Sequence, residues 1–259
     1  MTATALFKTI SGPMLALCLI MALAVDALGA GPVADKEKET LVSKSFKIGD
    51  FDRIEVGKGI KVVFRQSKNP GVARATASAE AIERLRVYVK DRKVVIGFES
   101  GVSVNAKGPV TVAVGSADFK GAEVKSAAEL KITGDINVPE TIKIDANSAG
   151  KVIMNNVACG KLKIDASSAA SVAVKALAGC LDIDVSSASD VNVGAARGAE
   201  IKIEASSASS VTVAGIKAGN VDAEASSTAK VSLEGVCSSF NKDVSSAAVV
   251  KHGKLVVRK

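Results

Sequence analysis

The chain has 259 residues, 47% of them hydrophobic, so it can bury a large core in one or two domains, which excludes a disordered protein. Aromatic residues make up only 3%, and there is no Trp. Such a composition, rich in Gly, Ala, Val and Ser, favours the thin stacked layers of repeat proteins. The formal net charge of +7 would attract acidic partners, and the alternative is a soluble protein whose lysines are simply spread over its surface.

Residues 1–30 predict a secretory signal peptide. Lys8 precedes an unbroken apolar run at 12–25, and cleavage could follow Ala27 or Ala30. The run is short for a membrane span, and a retained N-terminal anchor is the alternative. We therefore expect an exported protein in the periplasm, on the outer-membrane surface or outside the cell, with a polar linker at 31–44.

Residues 45–120 alternate apolar and polar side chains in the manner of β-strands. Val87 and Val89 precede the polar stretch Lys-Asp-Arg-Lys, and Val94 and Ile96 follow it, which predicts a β-hairpin. Residues 78–86 allow one helical turn. This part of the chain is expected to be a strand-rich N-terminal region.

From residue 121 to 253 the chain repeats one phrase. A Ser-rich turn recurs at intervals of 20, 19, 20, 20 and 19 residues, with a looser first copy at Ser126. One short strand precedes each turn and one follows it, and both have apolar residues at every second position. The successive turns lie at Ser148, Ser168, Ser187, Ser207, Ser227 and Ser246.

Aligned copies place like residues in columns. A single copy cannot bury its apolar face, but parallel stacking of the copies buries all of them in one interior. This predicts an all-β fold, a parallel β-helix or β-solenoid with six or seven coils and a length of roughly 30 Å, followed by a basic tail at 254–259. The inward columns are Ile144, Ile164, Ile183, Ile203 and Ala223; Val152, Val172, Val191, Val211, Val231 and Val250; and, less regularly, Val157, Leu177, Ile216 and Val236.

The outward columns include a row of carboxylates, one per coil. Neighbouring carboxylates about 4.8 Å apart repel each other by roughly 1 kcal/mol in water. Lysines two positions earlier can offset this repulsion, and the alternative is a hard cation such as calcium. The row lacks the loops that usually surround calcium, so its members are weak metal candidates: Asp145, Asp165, Asp184, Glu204, Glu224 and Asp243.

Three cysteines follow the predicted signal peptide. Cys159 and Cys180 fall in adjacent coils, so this pair alone lies within disulfide reach, whereas Cys237 is several coils away. Three unpaired thiols are the alternative. The serines of the turns are expected to bond to backbone groups at tight corners and to be structural.

No catalytic constellation stands out. Carboxylates occur in every coil and none is singled out, the coils contain one aromatic residue, Phe240, and the single histidine, His252, falls where an end cap is expected. These counts exclude a Ser-His-Asp triad and a His/Cys metal cluster. Nucleic acid is not expected as a partner, because the basic residues lack interleaved aromatics.

Together, the stretches FDRIEVGKGIKVVFRQ and LRVYVKDRKVVIGF and the repeated Ser-rich turn resemble the auto-transporter adhesin head domain, or GIN domain, family, over roughly Ser45 to Gly253. The resemblance implies a right-handed β-helix-like body and a role in cell-surface adhesion, with no catalytic residues. One departure is visible: members turn with Ser-Gly-Ser-Gly-Asp, whereas this chain has Ala-Ser-Ser-Ala-Ser, and Ala makes a positive φ costly.

We therefore expect a non-enzymatic, exported surface or envelope binding protein without cofactors. Its expected partners are anionic glycans or envelope lipids. A polysaccharide lyase or hydrolase of the β-helix type is one alternative, because several such enzymes share the fold. The other is a scaffold subunit that self-associates through its terminal coils.

Overall fold

The structure, a computed structural model, describes residues 40–67, 71–99, 101 and 108–258. The signal peptide predicted at 1–30 and most of the linker predicted at 31–44 lie outside these residues. All described residues belong to one compact unit, Glu39–Lys259.

Within the described residues the chain forms eighteen strands and one short helix. The helix is α1 (Ala79–Arg84), the single turn that the sequence predicts, and the side chain of Ser78 caps its N-terminus. The strands are β1 (Val42–Lys47), β2 (Arg53–Val56), β3 (Lys61–Gln66), β4 (Val72–Ala77), β5 (Leu85–Lys90), β6 (Lys93–Phe98), β7 (Thr111–Ser116), β8 (Gly121–Val124), β9 (Glu129–Ile132), β10 (Ile136–Asn137), β11 (Thr141–Ala146), β12 (Lys151–Ala166), β13 (Ser171–Val185), β14 (Asp190–Val193), β15 (Ala196–Ala205), β16 (Ser210–Ala225), β17 (Lys230–Val244) and β18 (Val249–Val257).

The repeats form a solenoid with three parallel sheets. We call sheet A the strand segments before each Ser-rich turn, sheet B the segments after it, and sheet C the third side. In β12 the chain passes through all three, with residues 151–154 in sheet B, 156–158 in sheet C and 161–166 in sheet A of the next coil. Ile144 lies beside Ile164, and Ile164 beside Ile183, in parallel register. The predicted β-solenoid of about 20-residue coils is confirmed, with about 7 turns.

The predicted inward columns lie in the core. Ile144, Ile164, Ile183 and Ile203 are fully buried, and so is the Val column from Val152 to Val231. The third column differs in one place: Cys237 is 2% exposed, whereas Val236 is only half-buried. The register between β16 and β17 shifts after Val213, and this shift turns Cys237 rather than Val236 toward the interior.

The N-terminal region continues the same parallel stack, but not in chain order. β2 lies between β6 and β8, and β3 lies between β7 and β9, all in parallel pairs. The coil that contains β6 and β7 therefore comes later in the chain than the coil of β2 and β3, but it stacks on the N-terminal side of that coil. The predicted hairpin is confirmed as the antiparallel pair β5 and β6, which meet at Asp91 and Arg92, both with positive φ.

Antiparallel strands and α1 extend the N-terminal end. β4 pairs with β7, and β1 pairs with β4, both in antiparallel register. The outermost parallel strand of sheet B at this end, β7, therefore has its edge covered by β4. Inside these coils Phe51, Phe64 and Phe119 are buried together, with ring centroids of Phe64 and Phe119 4.9 Å apart. These large side chains fill a volume that the Val and Ile columns fill elsewhere.

The opposite end of the stack is the last coil. Within the described residues β18 pairs only with β17, so its outer edge is unpaired. His252 packs against Phe240 with ring centroids 5.0 Å apart, and its Nε2 lies 3.1 Å from Nζ of Lys242. His252 therefore stands over the inward side of the last coil, as the sequence predicts.

Among the described residues, the only helix, α1, is too short to cross a membrane.

Candidate binding surface

The carboxylates of sheet A form one straight row along the flank of the solenoid. Strand register places Asp145 beside Asp165, Asp165 beside Asp184, and so on to Asp243, as the repeat phase predicts. The row is longer than predicted, because Glu55 of β2 and Glu123 of β8 continue it toward the N-terminus. Sequence reasoning missed these two, although each stands between buried residues of an alternating strand, which is the same signal.

Basic side chains neutralise the N-terminal half of the row. Lys125 Nζ lies 2.9 Å from a carboxylate oxygen of Glu55 and 2.9 Å from one of Glu123. The hydrogen bond from Lys93, followed by that from Lys125, lowers the pKa of Glu55. Lys143 bridges two coils, at 3.0 Å from Asp145 and 3.3 Å from Asp165. The predicted offset by neighbouring lysines is therefore present in this half.

The C-terminal half of the row stays acidic. Asp182 and Asp222 occupy positions where other coils carry lysine, and Lys202 pairs with Glu204 at 2.5 Å. Elsewhere in this half, no lysine or arginine of the described residues forms a salt bridge with Asp184, Glu224 or Asp243. Burial, and then the charges of the neighbouring Asp165 and Glu204, raise the pKa of Asp184. The flank is thus electrically asymmetric, balanced near the N-terminus and negative toward the C-terminus.

A groove of about 220 Å³ runs between the acidic half and the serine turns. Its lining repeats along the solenoid, because successive coils contribute a carboxylate, a serine or both at equivalent positions. Its walls are Asp184, Glu204, Glu224 and Asp243 on one side and Ser206, Ser226 and Ser245 on the other. Such a groove offers hydroxyls and carboxylates at the coil repeat, with no aromatic platform for stacking a sugar ring.

The Ser-rich turns keep the positive-φ geometry without glycine. Ser168 has φ 55° and Ala169 has φ 61°, and the N–H of Ala170 donates to the carbonyl of Ser167 at 3.3 Å, as in a type I′ turn. The N–H of Ala169 also donates to the carbonyl of Ser187 in the next coil at 3.0 Å. The same intercoil bond recurs at every later Ser-Ala or Ser-Thr turn except the last. These turns therefore adopt positive φ at Ser and Ala without glycine, and the intercoil hydrogen bonds hold them in place.

Metal binding by the row stays a prediction. Among the described residues, no three His, Cys, Asp or Glu side chains are arranged to hold a metal ion. The reason is geometric: one carboxylate per coil points straight out of a flat sheet, so the six candidates form a line rather than a cage.

The cysteine pair also stays a prediction. Cys159 and Cys180 are half-buried free thiols in neighbouring coils, and Cys237 is buried. Burial, with a smaller effect of Cys180, raises the pKa of Cys159 to about 11. A thiol with this pKa is almost entirely protonated near neutral pH, so it would oxidise slowly.

The family match and several structural neighbours both carry the description "putative adhesin" or "auto-transporter adhesin". Residues 50–214, more than half of the chain, match the family described as "Putative auto-transporter adhesin, head GIN domain". No curated protein matches the chain.

Solved structures with a similar fold include a "putative adhesin" from Bacteroides fragilis NCTC 9343, which has a TM-score of 0.71 at 15% identity. The match covers 83% of this chain and 97% of that protein's chain. A "putative lipid binding protein" from Parabacteroides distasonis ATCC 8503 has a TM-score of 0.64 at 13% identity, with the same coverage. At these identities the structures share the fold with this chain, and the family match shows that the chain belongs to the auto-transporter adhesin head GIN domain family.

Proposed function

We propose that the chain is a non-enzymatic, exported, adhesin-like protein that binds at the bacterial surface or envelope. The observation that carries this proposal is the regularity of the row: each coil places one carboxylate, Asp or Glu, in register with that of its neighbours, and a Ser-rich turn follows it. A catalytic centre needs one position that differs from the rest, whereas a surface that binds an extended or repeating partner does not. Membership in a family of adhesin heads supports the same function.

The proposed partners are anionic components of the envelope. The carboxylate row would repel anions, so such partners would meet the basic surfaces that give the chain its formal net charge of +7. One structural neighbour is named for lipid binding and others for adhesion, which supports envelope lipids and surface glycans as partner classes.

The test of binding uses a glycan array probed with the full chain, produced with export so that its N-terminus is processed. We expect retention on anionic glycans that weakens as salt is raised, because screening shortens the reach of the protein's charge. Retention that is indifferent to glycan charge and salt would contradict an anionic partner.

A β-helix hydrolase or lyase is the second candidate. The groove beside Asp184 favours it, because the pKa of this carboxyl is raised and the groove is open along several coils. The test is a turnover screen on polyuronates with and without calcium. Activity that disappears in Asp184→Asn or Glu204→Gln, but persists in the N-terminal row variant Asp145→Asn, would establish an enzyme. We expect no turnover in any of these proteins.

A further inference from the structure

Large apolar side chains are exposed only at the two ends of the solenoid, among the residues that the structure describes. Among the same residues, the coils between the two ends carry none. At the N-terminal end they lie on or beside β1, β4 and β5, and at the C-terminal end they lie on the last coil. The N-terminal set is Leu41, Val42, Val72 and Tyr88, and the C-terminal set is Val244, Val249, Val256 and Val257.

The two ends differ in how they are closed. Antiparallel strands and α1 lie on the first coil, and Ala81 and Ile82 of α1 are buried. Within the part of the chain that the structure describes, no further coil lies on the last one, and its inward side chains Phe240 and Val250 are only half-buried. We call the residues of this surface the end face: Phe240, Lys242, Val244 and residues 249–258.

The end face is basic as well as apolar. Residues 244–258 contain Lys251, Lys254 and Arg258 and no Asp or Glu, and Lys242 occupies an inward column position that Ile fills in earlier coils. Two acids accompany these cations: Asp243 stands between Lys242 and Val244 on β17, and Glu234 is paired with Lys254 at 3.5 Å. Exposed valines within a set of cations match an anionic surface with an apolar layer beneath it.

A second copy of the chain fits this surface less well. The N-terminal end is also basic, with Lys44, Lys47 and Arg74 exposed near Val42 and Val72, so either end-to-end contact brings like charges together. The cross-section is also small. Each side of a coil has about six residues and spans roughly 20 Å, so an end-to-end contact would bury a few hundred Å² on each partner. This is less than the ~800 Å² per partner of a standard interface.

We propose that the end face docks on a bilayer surface that contains anionic phospholipids. The valines enter the boundary between headgroups and acyl chains, while the lysines and the arginine contact lipid phosphates. The unpaired edge of β18 limits the depth, because open sheet edges are not tolerated in hydrocarbon; its N–H groups meet phosphate and water instead. This inference rests on the proposed function and assigns it one surface and one partner class.

The absence of Trp allows a direct measurement of this contact. Val256→Trp places a single indole on the end face, and Val72→Trp places one at the opposite end, where the native Val is 56% exposed. With vesicles of phosphatidylcholine and about one third phosphatidylglycerol, we expect a blue shift and quenching by brominated lipid for Trp at 256 only. A shift at 72 with none at 256, or no shift at either position, overturns the proposal.

Charge variants test the electrostatic part by vesicle co-sedimentation. The end-face variant is Lys251→Gln, Lys254→Gln and Arg258→Gln together, and the control is Lys61→Gln, Lys131→Gln and Lys151→Gln, which removes the same charge from the exposed flank of sheet B. We expect the end-face variant to bind anionic vesicles about 100-fold more weakly, at about fivefold per charge, and the control to bind almost as the parent does. Equal losses in both variants overturn the proposal.

Two further outcomes are informative in the same samples. A blue shift of Trp at 256 that depends on protein concentration and needs no vesicles would show that a second copy covers the end face, which overturns the proposal. Glycan-array binding is measured on the same variants. If glycan binding persists while vesicle binding is absent, the lipid inference fails and the proposed function stands.

Discussion

At the scale of single residues, the turns show how stacking holds unfavourable backbone conformations. A left-handed conformation costs an L-residue roughly 1–2 kcal/mol, and each Ser-rich turn contains two such residues in succession. The intercoil hydrogen bond from Ala169 to Ser187 fixes each turn against the next one. Both residues therefore keep a geometry that glycine would adopt freely.

Ala169→Gly is expected to stabilise the protein by about 0.5–1 kcal/mol. Relief of the left-handed strain at φ 61° exceeds the larger entropy that glycine gives to the unfolded chain. Urea unfolding followed by circular dichroism measures the change. The control is Ala170→Gly, at a buried position without positive φ, which should lower stability; a loss in both variants would show that strain at Ala169 is not the deciding effect.

At the scale of elements, a buried carboxylate with half-exposed basic partners holds the N-terminal coils together. The side chain of Asp52 is 5% exposed and accepts a hydrogen bond from Nε of Arg92 in the β5–β6 hairpin at 2.9 Å. Burial alone would raise the pKa of Asp52, but the hydrogen bonds from Arg92 and Arg53 and the charges of Arg92 and Lys120 outweigh it and lower the pKa below its ordinary value. The carboxylate therefore joins the start of β2 to the hairpin and to the loop before β8.

Asp52→Asn is expected to cost about 1–2 kcal/mol of stability near neutral pH, because the charge-assisted hydrogen bonds are lost. The native pKa lies below the unfolded value, so this stabilisation is complete above the unfolded pKa and disappears as pH falls through the native pKa. Thermal unfolding of parent and variant from neutral pH down to about pH 3 should therefore converge at the acidic end. Asp91→Asn, with the same charge change at an exposed position, should show a small difference at every pH.

The strands themselves depend on their inward columns. Val191 is fully buried between Val172 and Val211 of the neighbouring coils. Val191→Asp places an unpaired charge there and should cost roughly 3–5 kcal/mol, enough to abolish a cooperative melt near room temperature. Asn192→Asp, one residue later on the exposed side, is the control and should melt almost as the parent does. A cooperative melt for Val191→Asp would contradict the inward assignment.

At the scale of the whole molecule, the two ends decide whether the solenoid grows. A parallel stack could continue from its last coil into another chain, because the edge of β18 is open. Lysines near that edge and the absence of acids in residues 244–258 oppose this continuation. The scaffold alternative would require the opposite charge pattern at one end.

The full chain is therefore expected to be monomeric in solution at micromolar concentration. Multi-angle light scattering over a concentration series at low and high salt measures this. Oligomers that form at low salt would favour the scaffold alternative, whereas oligomers that appear only at high salt would show that charge repulsion normally keeps the ends apart.

The repeat fold could be read from the sequence because each coil has the same local pattern. A period of 19 or 20 residues and a two-residue alternation fix which side chains point inward, and register then follows from the columns of Val and Ile. For the same reason the sequence alone placed Asp145 to Asp243 on one outward row. The short helix at Ala79–Arg84 and the hairpin of β5 and β6 were also visible, because their signals are local.

Only the tertiary structure decided what depends on contacts between distant segments. The stacking of β2 between β6 and β8 is out of chain order, so no sequence period predicts it. Only this stacking shows that Glu55 and Glu123 extend the carboxylate row. The register shift that buries Cys237 instead of Val236 is a backbone irregularity without a sequence repeat. The exposure of valines at the open, basic C-terminal end is likewise a property of the assembled stack, since a residue's neighbours in the next coil determine its exposure.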